Sequence, residues 1–147
     1  MHFNIPPRSD SNVYTITPGL TLQWLHDGRV LVYTWTSISR QTVDIFSQVY
    51  MEILDTWPIK EPLYQLNDLR FEGFSFTPYL RNAVQQVIRE SLKRGMTGRV
   101  ANVMQPGLFM RGVQFFLRAT ALGPGVRAEI FANYVEAINW LDQEHKS

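Results

Sequence analysis

The chain of 147 residues contains no cysteine. This absence excludes disulfide bonds, zinc sites built from thiolates and a cysteine nucleophile. It agrees with a reducing compartment, so we expect a cytoplasmic protein. Histidine is scarce too: His2, His26 and His145 are the three in the chain, and they do not stand at spacings typical of metal ligands. The sequence therefore predicts no metal site.

Sequence motifs that bind phosphate or activate a serine are also missing. Neither Gly-x-x-x-x-Gly-Lys nor Gly-x-Gly-x-x-Gly occurs, so no nucleotide cofactor is predicted. The segment GFSFT lacks the second glycine of a nucleophile elbow. Two carboxylates, Asp68 and Glu72, follow a predicted strand, where α/β folds often place sites. A solvated acidic pair is the simpler interpretation, and a small hydrolase or transferase using them is the weaker hypothesis.

Long apolar runs and a strong charge of one sign are absent as well. No run approaches the ~18 residues of a membrane span, and the N-terminus lacks the pattern of a signal peptide. The formal net charge of +1 does not favour nucleic-acid binding. With 45% apolar residues, the chain has a globular composition and the length of one domain. We expect residues 1–12 to form a flexible N-terminal arm and residues 13–147 a single domain.

What is present is a clear pattern of strands and helices. LTLQWLH and RVLVYTW, both rich in strand formers, flank Asp27-Gly28 and predict an antiparallel hairpin over residues 20–35. Apolar periodicity predicts helices over 39–57, 78–94, 108–122 and 134–145, and strands over 62–66, 98–104 and 126–131. Residues 13–16 are a candidate edge strand. The order β-β-α-β-α-β-α-β-α predicts an α/β domain with a mostly parallel sheet after the N-terminal hairpin.

The elbow between residues 66 and 78 contains two hydroxyl side chains, Ser75 and Thr77. Thr77 precedes Pro78, and a threonine cap followed by proline at the first helical position is a typical helix start. We therefore interpret Thr77 mainly as the cap of the second helix.

The third predicted helix, LFMRGVQFFLRATAL, is apolar on nearly all sides. One stripe contains Leu108, Gly112, Phe115, Ala119 and Leu122, and the opposite face supplies the core. Deep burial is the simpler interpretation. The alternatives are a homodimer or other protein contact, or a wall of a cavity for an apolar small molecule or lipid. Trp140 of the last helix is a candidate extension of this patch, although an isolated exposed tryptophan is the simpler account.

Three segments resemble a known family: GLTLQWLHDGRVLVYTWTS, LYQLNDLRFEGFSFTPYLRNAV and VRAEIFANYVEAINWLDQ. Their order is similar to that of STAS or SpoIIAA-like domains, the fold of bacterial anti-sigma-factor antagonists, which is related to CRAL-TRIO-type lipid-binding domains. In the antagonists the elbow reads close to Asp-Ser-Ser-Gly and carries a phosphorylated serine. Here that block falls on Ser75-Phe76-Thr77-Pro78, so the resemblance implies a phosphosite at Thr77 or Ser75, although the acidic residue and the glycine are replaced.

These observations favour a bacterial, non-catalytic STAS-like module that binds a protein partner or an apolar ligand. A phosphorylation-regulated antagonist that switches at Thr77 or Ser75 is the first alternative. An enzyme using Asp68 and Glu72 is the second.

Overall fold

Strands and helices alternate along the chain in the computed structural model, which describes residues 3–120 and 122–143. The strands are β1 (Tyr14–Thr17), β2 (Leu20–Leu25), β3 (Val30–Trp35), β4 (Leu63–Asp68), β5 (Gly98–Val103) and β6 (Val126–Phe131). The helices are α1 (Arg40–Thr56), α2 (Pro78–Lys93), α3 (Leu108–Ala119) and α4 (Tyr134–Gln143). The predicted α/β fold class is confirmed, and β1 adds an edge strand to the predicted order.

All of these strands belong to one sheet, in the sequential order β1-β2-β3-β4-β5-β6. The pairs β1–β2 and β2–β3 are antiparallel, whereas β3–β4, β4–β5 and β5–β6 are parallel. Each of α1, α2 and α3 connects two parallel neighbours, because a parallel pair needs a crossover that a short turn does not provide. The mostly parallel sheet predicted after the N-terminal hairpin is confirmed.

The hairpin between β2 and β3 turns at Asp27 and Gly28, as the sequence predicts. Asp27 has φ 57° and Gly28 has φ 79°. The amide of Arg29 donates to the carbonyl oxygen of His26 at 3.2 Å, which closes a four-residue turn. Two central residues with positive φ are the requirement of the type I′ turn, whose twist matches that of the flanking strands.

The core consists of one apolar layer on each face of the sheet. α1, α2 and α3 cover one face, where Tyr33 of β3 is fully buried. α4 covers the other face and packs Ala137 and Leu141 against the sheet. β3 contributes alternate residues to both layers, which explains its nearly continuous apolar sequence.

The segment 3–12, predicted to be a flexible arm, makes specific contacts with the hairpin and α1. The indole nitrogen of Trp24 donates to the carbonyl oxygen of Pro6 at 3.1 Å. The guanidinium of Arg8 lies 4.2 Å from the ring centre of Trp57 and forms an ion pair with Glu61. These contacts attach the segment to the edge of the layer formed by α1, α2 and α3.

Some predicted boundaries are corrected by the structure. β4 extends to Asp68, beyond the predicted end at residue 66. α3 ends at Ala119 and not at residue 122, because Thr120 is extended and its hydroxyl donates to the carbonyl oxygen of Phe116 at 2.7 Å. The predicted end of the last helix, residues 144–145, and also His2 lie outside the described residues. Among the helices described, none has the length and apolarity needed to cross a bilayer.

Candidate functional site

A cavity of about 140 Å³ lies between the sheet and the layer formed by α1, α2 and α3. β4, β5 and β6 form its floor, with Leu63, Gln65, Asn67, Gly98, Val100, Asn102, Val126 and Ala128. The helices and the elbow form its walls, with Phe46, Tyr50, Phe74, Phe76, Leu80, Val84, Val87, Ile88, Ser91, Val113, Phe116 and Leu117 among the lining residues. The cavity is partly open to solvent, and its lining comes from parts of the chain that are far apart in sequence.

The register of the strands explains why space remains at this place. Gln65 of β4, Val100 of β5 and Ala128 of β6 are neighbours across the sheet. Alternate residues of a strand point to opposite faces, so these three share the face under α2 and α3. In the adjoining row, Gly98 has no side chain, and a Cβ there would lie 1.9 Å from the carbonyl oxygen of Leu63. Small side chains in β5 and β6 leave room that the helices above do not fill.

A first polar group in the cavity is formed by Tyr50, Gln65 and Ser91. The side-chain amide of Gln65, which is 4% exposed, donates to the Tyr50 hydroxyl at 2.9 Å. The Ser91 hydroxyl lies 3.5 Å from the Tyr50 hydroxyl and donates to the carbonyl oxygen of Val87 at 2.9 Å. Burial raises the pKa of Tyr50, since water no longer stabilises the phenolate. This group is therefore neutral at physiological pH.

A second polar group lies near the carboxyl ends of the parallel strands. The indole nitrogen of Trp35 donates to Asn67 Oδ1 at 3.3 Å, and Asn67 Nδ2 donates to Asn102 Oδ1 at 3.2 Å. Asn102 Nδ2 in turn donates to the carbonyl oxygen of Glu129 at 3.4 Å. These distances are at or beyond the long end of the usual range, so the bonds are weak.

No charged side chain lines the cavity within the described residues. Gln65, Asn67 and Asn102 were not among the site residues predicted from the sequence. A signal was present: two polar amides stand two residues apart in β4, and a third amide lies in the next strand. Only the pairing of Asn67 with Asn102 shows that the amides meet.

The elbow places Ser75 and Thr77 beside the cavity. The amide of Leu80 donates to Thr77 Oγ1 at 3.1 Å, as the capping interpretation predicts. Ser75 is half-buried between Phe74 and Phe76, and both of these aromatic side chains line the cavity. Phosphorylation at either hydroxyl stays a prediction.

The two candidate catalytic carboxylates lie at the end of β4 and in the turn that follows it. Asp68 accepts hydrogen bonds at 2.9 and 2.8 Å from the guanidinium of Arg70. This ion pair raises the pKa of Arg70, and the same guanidinium lies 5.4 Å from the ring centre of Tyr134. Glu72 is exposed in the following turn. Among the described residues, no group of histidine and carboxylate side chains is arranged to bind a metal ion.

The stripe predicted on the third helix is divided by the structure. Leu108 and Phe115 are 80% and 75% exposed, and Gly112 and Ala119 are also exposed. Deep burial of this stripe, the simpler interpretation, is therefore wrong. We call these four residues the outer stripe. Leu122 follows the end of α3 and lines the cavity instead.

Trp140, the other residue predicted to extend this patch, lies on the opposite face of the sheet. It belongs to α4 and packs with Phe131, at 5.5 Å between ring centres. The guanidinium of Arg99 lies 4.7 Å from its ring centre. The structure therefore separates Trp140 from the outer stripe.

No protein-family model and no curated protein sequence matches this chain.

Proposed function

We propose that this domain is a non-catalytic module, STAS-like in its order of elements, that binds a small and neutral apolar molecule in the cavity. The observation that carries the proposal is a space of about 140 Å³, partly open to solvent, that is lined by apolar side chains and two neutral polar groups. Membership of the STAS or SpoIIAA-like family stays a prediction from the sequence, and the observed α/β order supports it only at the level of fold class.

The energetic cost of the cavity supports a ligand. Protein interiors are close-packed, and residual cavities lower stability by about 24 cal/mol per Å³. A fully closed void of about 140 Å³ would cost on the order of 3 kcal/mol, and this figure is the upper bound for a cavity that is partly open to solvent. A bound molecule would offset this cost by restoring contacts with the lining side chains.

The size and polarity of the cavity define the class of ligand. Apolar cavities of ~150 Å³ accommodate one benzene molecule, so we infer a single ring or a short chain of comparable size. An ionised group would lose its hydration without gaining a counter-charge, since no charged side chain lines the cavity in the described part of the chain. One hydroxyl or carbonyl group on the ligand would find partners in the amides of Asn67 and Asn102.

The arrangement of carboxylates supports a binding role over the hydrolase or transferase alternative. Asp68 is held by Arg70 outside the cavity. The alternative of a phosphorylation switch keeps Thr77 and Ser75 as its candidates. At Thr77 it predicts that a phosphate would replace the hydroxyl that caps α2 beside the cavity wall.

Three probes of similar shape test the proposal: toluene, phenol and benzoate. We expect saturation-transfer NMR to detect binding of toluene and phenol but not of benzoate, and native mass spectrometry to detect any small molecule that copurifies with the chain. Val100→Phe, which places a ring in the cavity, should abolish binding. Val135→Phe, on the exposed surface of α4, serves as the matched control and should leave binding unchanged. Absence of binding by both neutral probes, or equal binding of benzoate, would contradict the proposal.

A further inference from the structure

The outer stripe of α3 is an apolar surface that the fold of the described chain leaves exposed. Leu108 and Phe115 are 80% and 75% exposed, and the adjacent Phe109 is 47% exposed. With ~200 Å² per large side chain, these fractions amount to about 400 Å² of apolar surface. A patch of this size on a small domain is commonly a binding surface.

Positive charge borders the outer stripe. Arg111 and Arg118 are two helical turns apart, both exposed, and lie along one flank of the stripe. The sequence of α3, LFMRGVQFFLRA, contains no acidic residue to balance them. The partner that fits this surface therefore combines an apolar interior with negative charge at its boundary.

A second copy of the chain fits this surface poorly. An antiparallel pair of outer stripes would place Phe115 opposite the partner's Gly112, which is favourable for packing. The same pairing brings Arg111 and Arg118 of the two copies to one flank, where like charges repel. The available ~400 Å² is also about half of the ~800 Å² that each partner contributes to a standard interface.

We propose that α3 is a membrane-contact helix that lies on the surface of an anionic bilayer. Leu108, Phe109 and Phe115 would enter the boundary between headgroups and acyl chains, while Arg111 and Arg118 would contact lipid phosphates. An interfacial helix needs an apolar face and a cationic border, and it needs no spanning length. The outer stripe meets both requirements over a helix of about 18 Å.

α3 contributes to both the outer stripe and the cavity, but with opposite sides of the helix. Val113, Phe116 and Leu117, on the inner side of α3, line the cavity. A domain docked through the outer stripe would hold its cavity one helix diameter from the bilayer. Vesicle binding by the outer stripe requires no ligand in the cavity, so the two proposals can fail separately.

The test is co-sedimentation of the full chain with vesicles of phosphatidylcholine, alone or with about 30% phosphatidylglycerol. We expect binding to the anionic vesicles only, and weaker binding at about 500 mM salt than at about 100 mM. Arg111→Gln with Arg118→Gln should reduce the partition coefficient about 30-fold, as ~1 kcal/mol per arginine implies. Leu108→Ser with Phe115→Ser should reduce it at least about tenfold.

Matched controls are available elsewhere on the surface. Ile59→Ser with Val135→Ser removes two side chains of 70% and 64% exposure outside α3. Arg29→Gln with Arg127→Gln removes the same charge from exposed positions. Both controls should bind anionic vesicles as the unmodified chain does. All the substituted side chains are exposed, so circular dichroism should show native folding throughout.

Three outcomes would overturn the proposal: no binding to anionic vesicles, equal binding to neutral vesicles, or a dimer in light scattering that Phe115→Ser converts to a monomer. The phenol-binding assay on the Leu108→Ser, Phe115→Ser variant separates this proposal from the ligand proposal. We expect that variant to bind phenol but not anionic vesicles. Val100→Phe should bind anionic vesicles but not phenol.

Discussion

Filling the cavity tests the energetic reasoning directly. Val100 lines the cavity from the middle of β5, and Val100→Phe adds about four carbon atoms, on the order of a third of the space. If the cavity costs on the order of 3 kcal/mol, recovering a third of it would raise the free energy of unfolding by about 1 kcal/mol. Strain in the new ring position would reduce this gain, so the expected change lies between roughly zero and 1 kcal/mol of stabilisation.

The control for this substitution lies on the same strand. Val103 of β5 is fully buried on the face covered by α4, where Ala137 and Leu141 pack against the sheet. Val103→Phe should therefore lower the free energy of unfolding by about 1–3 kcal/mol, the usual cost of overpacking. Urea denaturation of both variants, compared at unchanged m-values, measures the difference. Equal destabilisation by the two substitutions would refute the reasoning, because it would mean that Val100 has no open space beside it in solution.

Other predictions concern the cap, the N-terminal contact and the candidate carboxylate. Thr77→Ala should lower the free energy of unfolding by about 1 kcal/mol, whereas Thr77→Asp should leave it nearly unchanged, and thermal melting measures both. A phosphate found on Thr77 in protein from its native host would favour the switch hypothesis. The Arg8 guanidinium lowers the pKa of Glu61 from its ordinary 4.5, so this contact stabilises the fold above that pH and is lost as the pH falls through the lowered value. Arg8→Gln should return the pKa of Glu61 towards 4.5 in an NMR titration, and an unchanged value would contradict the assignment. Asp68→Asn should lower the free energy of unfolding, measured by urea denaturation, by at most about 1 kcal/mol and leave phenol binding intact. If this substitution instead abolished a measured enzymatic turnover, the enzyme hypothesis would be supported.

The sequence alone determined the features that a few adjacent residues specify. Asp27 and Gly28 specify a turn because the type I′ geometry needs positive φ at both positions, and the structure has it. Thr77 and Pro78 specify a helix start because a hydroxyl acceptor and a fixed φ suit the first helical turn, and α2 begins there. Strands alternating with helices then predicted the α/β class.

Only the tertiary structure decided where the polar amides and the surface of α3 lie. The cavity depends on the register that brings Gln65, Val100 and Ala128 into one row, and hydrogen bonding between strands far apart in the chain fixes that register. The same periodicity on α3 agrees with a buried or an exposed outer stripe, since apolarity does not tell which neighbours arrive to cover it. α3 lies over the last strands of the sheet with no described helix beyond it, so Phe115 faces solvent.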